Sequence, residues 1–257
     1  MISSRPICVV AGVGNGSGTG AATARIFSKE GYRLALISRD KETIHKFVEE
    51  LNKDGREAAF FPIAAYTYSE MHASWEAIRK HWPSTEIRIA LYNGGHLCVK
   101  PFLQTTEQDL QGSLDTHVNA AFSFSREAIL SFLDQPLNDK GKRGTLLITG
   151  ATASLRGNTT TSVFAAGKFG LRALSQSLNK EFGQKNIHVR TSAVYLHSIV
   201  SILTDRSPKQ GRSPEWLEDH DARLEPESIA QAYLYLVNQC RSAWTWELDL
   251  RSAHEKW

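Results

Sequence analysis

Cysteine is scarce in this chain: Cys8, Cys98 and Cys240 are odd in number, far apart and never arranged as CxxC. That spacing excludes a disulfide framework and offers no zinc-ligand set, so no metal is expected and a reducing, cytoplasmic setting fits. Long apolar runs are missing as well. No stretch approaches the roughly 18 residues of a membrane span, and the apolar start at 7–11 runs into glycines too soon for a signal peptide. Neither sign of charge dominates: 30 Lys and Arg against 27 Asp and Glu leave a net charge of +3. The basic residues are scattered among acids, which argues against a nucleic-acid partner. Repeats and low-complexity tracts are also lacking.

What remains is the composition of an ordinary soluble domain, 257 residues long with 41% hydrophobic and 22% charged residues. Short apolar segments alternate with helix-like ones almost throughout, the pattern of an α/β doubly wound parallel sheet with helices on both faces. Strands are predicted at 7–11, 32–38, 58–63, 87–92, 145–149, 187–194 and 245–250. Helices are predicted at 19–29, after a cap at Asp40, along the face of Met71, Trp75, Ile78 and Trp82, and at 106–132, 162–182 and 226–238. The 106–132 helix should break near Gly112. Residues 198–224, polar and containing Pro208 and Pro214, read as a substrate loop or lid, with a plain disordered loop as the alternative. Trp216 and the pair Trp244 and Trp246 suit either an apolar pocket or core and interface packing.

The glycine run Gly12-Val13-Gly14-Asn15-Gly16-Ser17-Gly18 lies between a predicted strand and a predicted helix. In that context glycine supplies positive φ, lets a pyrophosphate approach the backbone and leaves the helix amides facing its charge. About twenty residues on, where an acid would bind the ribose hydroxyls of NAD, the chain has Ser38-Arg39. A cation there favours the 2′-phosphate of NADP(H) over NAD(H). The alternative is a solvated surface arginine neutralised by Asp40.

The Gly12, Gly16 and Gly18 spacing resembles that of the short-chain dehydrogenase/reductase superfamily, and further motifs follow in order. Asn93-Gly94-Gly95 is similar to the family's Asn-Ala-Gly, Asn119 to its helix asparagine, and Phe164 to Lys168 falls on its Tyr-x-x-x-Lys. The resemblance implies a single NAD(P)-binding Rossmann domain over 1–257, a small-molecule substrate and a homo-oligomer built on the helices of Asn119 and Phe164 and the strand near Trp246. It also implies Gly12, Asn15, Gly16, Ser17, Gly18, Ser38, Arg39, Asn93, Gly94 and Lys168 as cofactor-binding residues. In the family the tyrosine donates a proton to a carbonyl, the lysine lowers the tyrosine pKa and holds the nicotinamide ribose, and a serine orients the carbonyl.

Here Phe164 replaces that tyrosine, and Ala151, thirteen residues earlier, replaces that serine unless Thr149, Thr152 or Ser154 substitutes. The family's Pro-Gly after the sixth strand becomes Leu196-His197. Lys168, Asn119, Phe164, Ala151 and Tyr195 are therefore the candidate catalytic residues, with His96 and His197 as further proton donors. Three readings remain open: reduction of a carbonyl with a surrogate donor, reduction of an iminium that needs none, and a cofactor-binding scaffold, sensor or non-redox enzyme.

Overall fold

Alternation within strand β1 (Ile7–Ala11) sends Ile7, Val9 and Ala11 to one face and Cys8 and Val10 to the other, and all five are buried. A strand apolar on both faces belongs in a parallel sheet covered on both sides. The computed structural model, which describes residues 5–194, 219–222 and 224–254, has this arrangement. Its seven strands are β1, β2 (Arg33–Ser38), β3 (Ala58–Pro62), β4 (Ile87–Tyr92), β5 (Gly144–Thr149), β6 (Ile187–Val194) and β7 (Glu247–Leu250). They run parallel in the order β3-β2-β1-β4-β5-β6-β7. The chain builds outward from β1 to β3, then crosses to β4 on the other side of β1. That reversal opens a crevice at the carboxyl ends of β1 and β4, where open α/β sheets bind ligands.

The helices are α1 (Thr19–Lys29), α2 (Lys41–Leu51), α3 (Tyr68–His81), α4 (Glu107–Leu114), α5 (Ala120–Leu133), α6 (Ser162–Phe182) and α7 (Pro226–Asn238). Trp75 of α3, Phe124 of α5 and Leu171 of α6 pack on one face of the sheet. Phe27 of α1, Ile44 of α2 and Tyr233 of α7 pack on the other. Local chemistry fixes the starts: the Asp40 carboxylate accepts from the Thr43 N–H at 3.2 Å, Thr106 and Asp109 form a capping box, and Pro226 opens α7. At the far end of α7, the buried Lys142 ammonium donates to the carbonyls of Val237 and Gln239, and burial pulls its pKa down to about 8.

Two expectations need correcting. Gly112 lies inside α4, and the helix widens later, in a π-type turn at Asp115–Asn119 that leads straight into α5. A Cβ on Gly112 would sit 2.9 Å from the His96 ring, so the glycine makes room for a side chain instead of ending a helix. The first and last predicted strands differ less: β1 is as expected, whereas β7 starts at Glu247, because Thr245 instead bonds to Gln239. Trp244 stacks on the buried His188 with ring centroids 4.2 Å apart, whereas Trp246 is exposed. Tyr195, Leu196, His197, Trp216 and nearly all of the 198–224 loop fall outside the described residues. Among the described residues no helix is long and apolar enough to cross a membrane.

Candidate active site

The glycine turn leaves the end of β1 with positive φ at Gly12, Gly14 and Gly16 (94°, 59° and 84°), a path side chains rarely follow. At Gly12 a Cβ would lie 2.5 Å from the Asn93 carbonyl oxygen. The turn is fastened to its neighbours. Gly12 N–H donates to the Ile37 carbonyl at 3.0 Å, Asn93 N–H to the Ala11 carbonyl at 2.8 Å, and Asn93 Nδ2 to the Gly12 carbonyl at 2.7 Å. Asn15 and Ser17 are exposed at the tip, with the Ser17 hydroxyl donating to Asn15 Oδ1 at 2.6 Å. Gly18 is the residue before α1, whose free amides face the turn. The close approach of helix and strand is made by Gly20, which the sequence reading missed: a Cβ there would strike the Gly12 carbonyl.

Ser38 ends β2 and is buried, and Arg39 follows it into solvent. The alternative, neutralisation by Asp40, finds no support, since that carboxylate caps α2. The Arg39 guanidinium lies 5.2 Å above the Tyr66 ring, and no carboxylate pairs with it among the described residues. A fixed cation beside a glycine-built turn and a helix N-terminus is a set of groups suited to phosphate. Gly94 completes this wall, where a Cβ would lie 2.8 Å from the Tyr92 hydroxyl.

On the other side of the crevice, the end of β5 faces the start of α6. Phe164 and Lys168 are one helical turn apart on α6, both about 1% exposed, with the Lys168 Nζ 5.9 Å from the Phe164 ring centroid. Lys168 Nζ donates to the Thr149 carbonyl at 3.0 Å, and burial alone lowers its pKa to about 7. Ala151, Ala153, Phe164 and Ala165 form a small apolar cluster with Leu97 against it. Of the three hydroxyls weighed as serine substitutes, Thr149 Oγ1 pairs with the Tyr233 hydroxyl at 2.8 Å and Ser154 Oγ accepts from the Ala151 N–H at 3.0 Å. Thr152 Oγ1 is buried without a hydrogen-bond partner among the described residues.

Asn119 is not part of this arrangement. It is exposed and donates to Asp115 Oδ1 at 2.8 Å, on the outer side of the π-type turn. The residue that the turn brings inward is His117, absent from the expected set. Its buried ring meets Phe164 edge-on at 5.5 Å. His117 Nε2 accepts from the His96 N–H at 3.2 Å, which puts the proton on Nδ1, 3.1 Å from Ser113 Oγ; that hydroxyl in turn donates to the Val163 carbonyl at 2.9 Å. Burial, then the Lys168 charge, then His96 hold this imidazole well below its ordinary pKa. Gly167 lacks a side chain at the contact: a Cβ would stand 2.6 Å from His117 Nδ1. The His96 imidazole is likewise held toward its neutral form, by burial and by Arg39.

Comparison with known proteins agrees with this architecture. A short-chain dehydrogenase structure from Rhodopseudomonas palustris is 29% identical, with a TM-score of 0.74 over 95% of this chain and 98% of that one. An alcohol dehydrogenase from Thermococcus sibiricus, complexed with 5-hydroxy-NADP, shares the fold at a TM-score of 0.81 and 18% identity, over 98% and 99% of the two chains. An uncharacterized oxidoreductase of Listeria monocytogenes is 23% identical over 88% of each chain. The 3-oxoacyl-[acyl-carrier-protein] reductase of Bos taurus is 28% identical over 73% of each. The short chain dehydrogenase family matches residues 8–209, and the chain therefore belongs to that family of oxidoreductases.

Proposed function

We propose that this protein is an NADP(H)-dependent oxidoreductase that reduces a small carbonyl or imine by hydride transfer without the usual proton donor. The observation that carries the cofactor preference is Arg39, a cation with no carboxylate partner among the described residues, next to a turn that side chains would block. A 2′-phosphate fits between them by charge, and an NAD ribose would leave the guanidinium with nothing to bind. The alcohol dehydrogenase complexed with 5-hydroxy-NADP, which shares this fold, is in line with the same choice.

The residues fit a nicotinamide dinucleotide along the crevice. Gly12, Gly16, Gly18 and Gly20 give its pyrophosphate room, with Asn15, Ser17 and the α1 amides at hand, while Ser38 and Arg39 take the adenosine phosphate. Asn93 and Gly94 form the wall, and Lys168 holds the nicotinamide ribose. When bound, the cofactor supplies a hydride. Phe164 and Ala151 stand in for the family's tyrosine and serine, so this chain orients the cofactor but lacks the usual acid. Asn119 drops out of the assignment and His117 enters it as a neutral, pinned neighbour of Phe164.

The enzyme is expected in the cytoplasm as a homo-oligomer, joined through exposed Phe122, Leu130 and Leu133 of α5, Phe169 of α6 and Trp246. A second reading, a cofactor-binding scaffold, draws on the apolar cluster around Ala151 and Phe164. Titration of NADPH and NADH by nicotinamide fluorescence tests the first reading. NADPH should bind tighter by roughly one to two decades, and equal affinities would refute the Arg39 assignment.

A further inference from the structure

Among the described residues, most of the polar groups around Phe164 are already engaged elsewhere, the buried Thr152 hydroxyl excepted. Thr149 faces Tyr233, Ser154 holds the Ala151 amide, Ser113 donates to Val163, and the Tyr92 hydroxyl donates to the Thr116 carbonyl in the π-type turn. His117 uses both ring nitrogens, and the His96 ring is turned against Gly112 of α4. Ala151 just after β5, Phe164 of α6 and Leu97 of the loop after β4 form one apolar cluster among these groups.

Charge balance then discriminates between acceptors. Reducing a carbonyl turns two neutral partners into an alkoxide and a nicotinamide cation, a separation of charge that an apolar pocket opposes. Reducing an iminium creates no new charge: one cation and one neutral partner become one neutral partner and one cation. The π face of Phe164 attracts the positive charge on whichever partner bears it. The one cationic group beside that ring among the described residues, Lys168, loses its proton above about pH 7 and so ceases to repel a second cation.

We propose that the substrate of this site is a preformed iminium cation, fully substituted at nitrogen, carried by a small and mostly apolar molecule. This rests on the hydride-transfer reading above. The iminium carbon accepts a hydride, with its electron pair, from a reduced nicotinamide, and the carbon–nitrogen π pair withdraws to nitrogen. The substrate leaves as a neutral tertiary amine, the nicotinamide is oxidised, and no proton enters or leaves.

The test uses N-methyl-3,4-dihydroisoquinolinium and its ketone counterpart 1-tetralone. With NADPH and the full chain, the iminium should turn over with kcat/KM at least roughly 100-fold above that of the ketone, the deficit of a missing general acid. Its rate should rise as pH passes through about 7, where Lys168 loses charge. A readout without turnover is calorimetric binding in the presence of the redox-inert 1,4,5,6-tetrahydro-NADPH. There the iminium should bind about tenfold tighter than the ketone, and Phe164→Leu should weaken the iminium roughly threefold, the size of one cation–π contact.

Equal or faster ketone reduction overturns the proposal and leaves the oxidoreductase reading standing. Tight NADPH binding with neither compound oxidising it overturns the proposal and the reading together. Equal binding of iminium and ketone, or no effect of Phe164→Leu in a variant that still binds NADPH, also overturns the proposal.

Discussion

The two walls of the crevice are built on opposite principles. The wall made by β1, β2 and α1 is glycine-lined and carries Arg39, which no carboxylate pairs with among the described residues, a set of groups suited to a charged ligand. The wall made by β5 and α6 is apolar around Ala151 and Phe164, and its buried lysine, Lys168, is desolvated until its pKa falls to about 7. On the function proposed above, holding a dinucleotide and delivering a proton are separable tasks on this fold, the first falling to one wall and the second lacking its usual residues on the other.

The sharpest way to break that contrast is to give the second wall its hydroxyls. Phe164→Tyr with Ala151→Ser places a phenol beside Lys168, whose charge below about pH 7 favours the phenolate. Ketone reduction should rise by roughly 100-fold or more, read as steady-state NADPH oxidation. No gain on any ketone, in a double variant that binds NADPH normally, would mean the pocket is not arranged for hydride transfer. Next in size, Arg39→Ala should weaken NADPH roughly 10- to 100-fold and NADH little. Equal losses for both cofactors would remove the distinction drawn for the first wall.

A smaller effect concerns stability. Lys168 and Lys142 have folded-state pKa values near 7 and 8, below the unfolded value of 10.5, so between those limits the unfolded chain binds more protons. Stability of the cofactor-free protein should therefore rise with pH from about 7 to about 10.5. Lys168→Met should flatten the rise in a urea midpoint series, and an unchanged slope would contradict the burial of that ammonium. The smallest difference is between two neighbours on the π-type turn. Asn119→Ala should change the urea stability by less than ~0.5 kcal/mol, whereas His117→Ala should cost about 2 kcal/mol by emptying a packed, hydrogen-bonded site. Similar values for both would return Asn119 to consideration.

Much of the first wall is legible in the sequence because its meaning lies in local pattern. A strand period, a glycine run and a helix period follow one another, and Ser38-Arg39 comes at a fixed distance along the next strand. The second wall is only partly legible. Phe164 and Lys168 keep helical spacing and are found together as expected. Asn119 fails because the helix does not keep its period: the wider turn at Asp115–Asn119 rotates the following residues, moving Asn119 outward and leaving His117 inside. Gly112 and Gly167 were the available signals. Gly112 reads as a helix breaker and Gly167 only as part of the Phe164 to Lys168 motif, yet each marks where a histidine ring needs space, a role that glycine does not reveal until its neighbours are known.

The bond from Asn93 to the Gly12 carbonyl joins residues 81 positions apart. Closing a loop of that length must precede the bond, so the phosphate turn cannot take its final shape while only the first three strands exist. During synthesis the chain would gain its grip on a dinucleotide only after β4 has emerged and slotted in beside β1. Cofactor then arrives as a late stabiliser of an assembled sheet, not as a template around which the first strands gather.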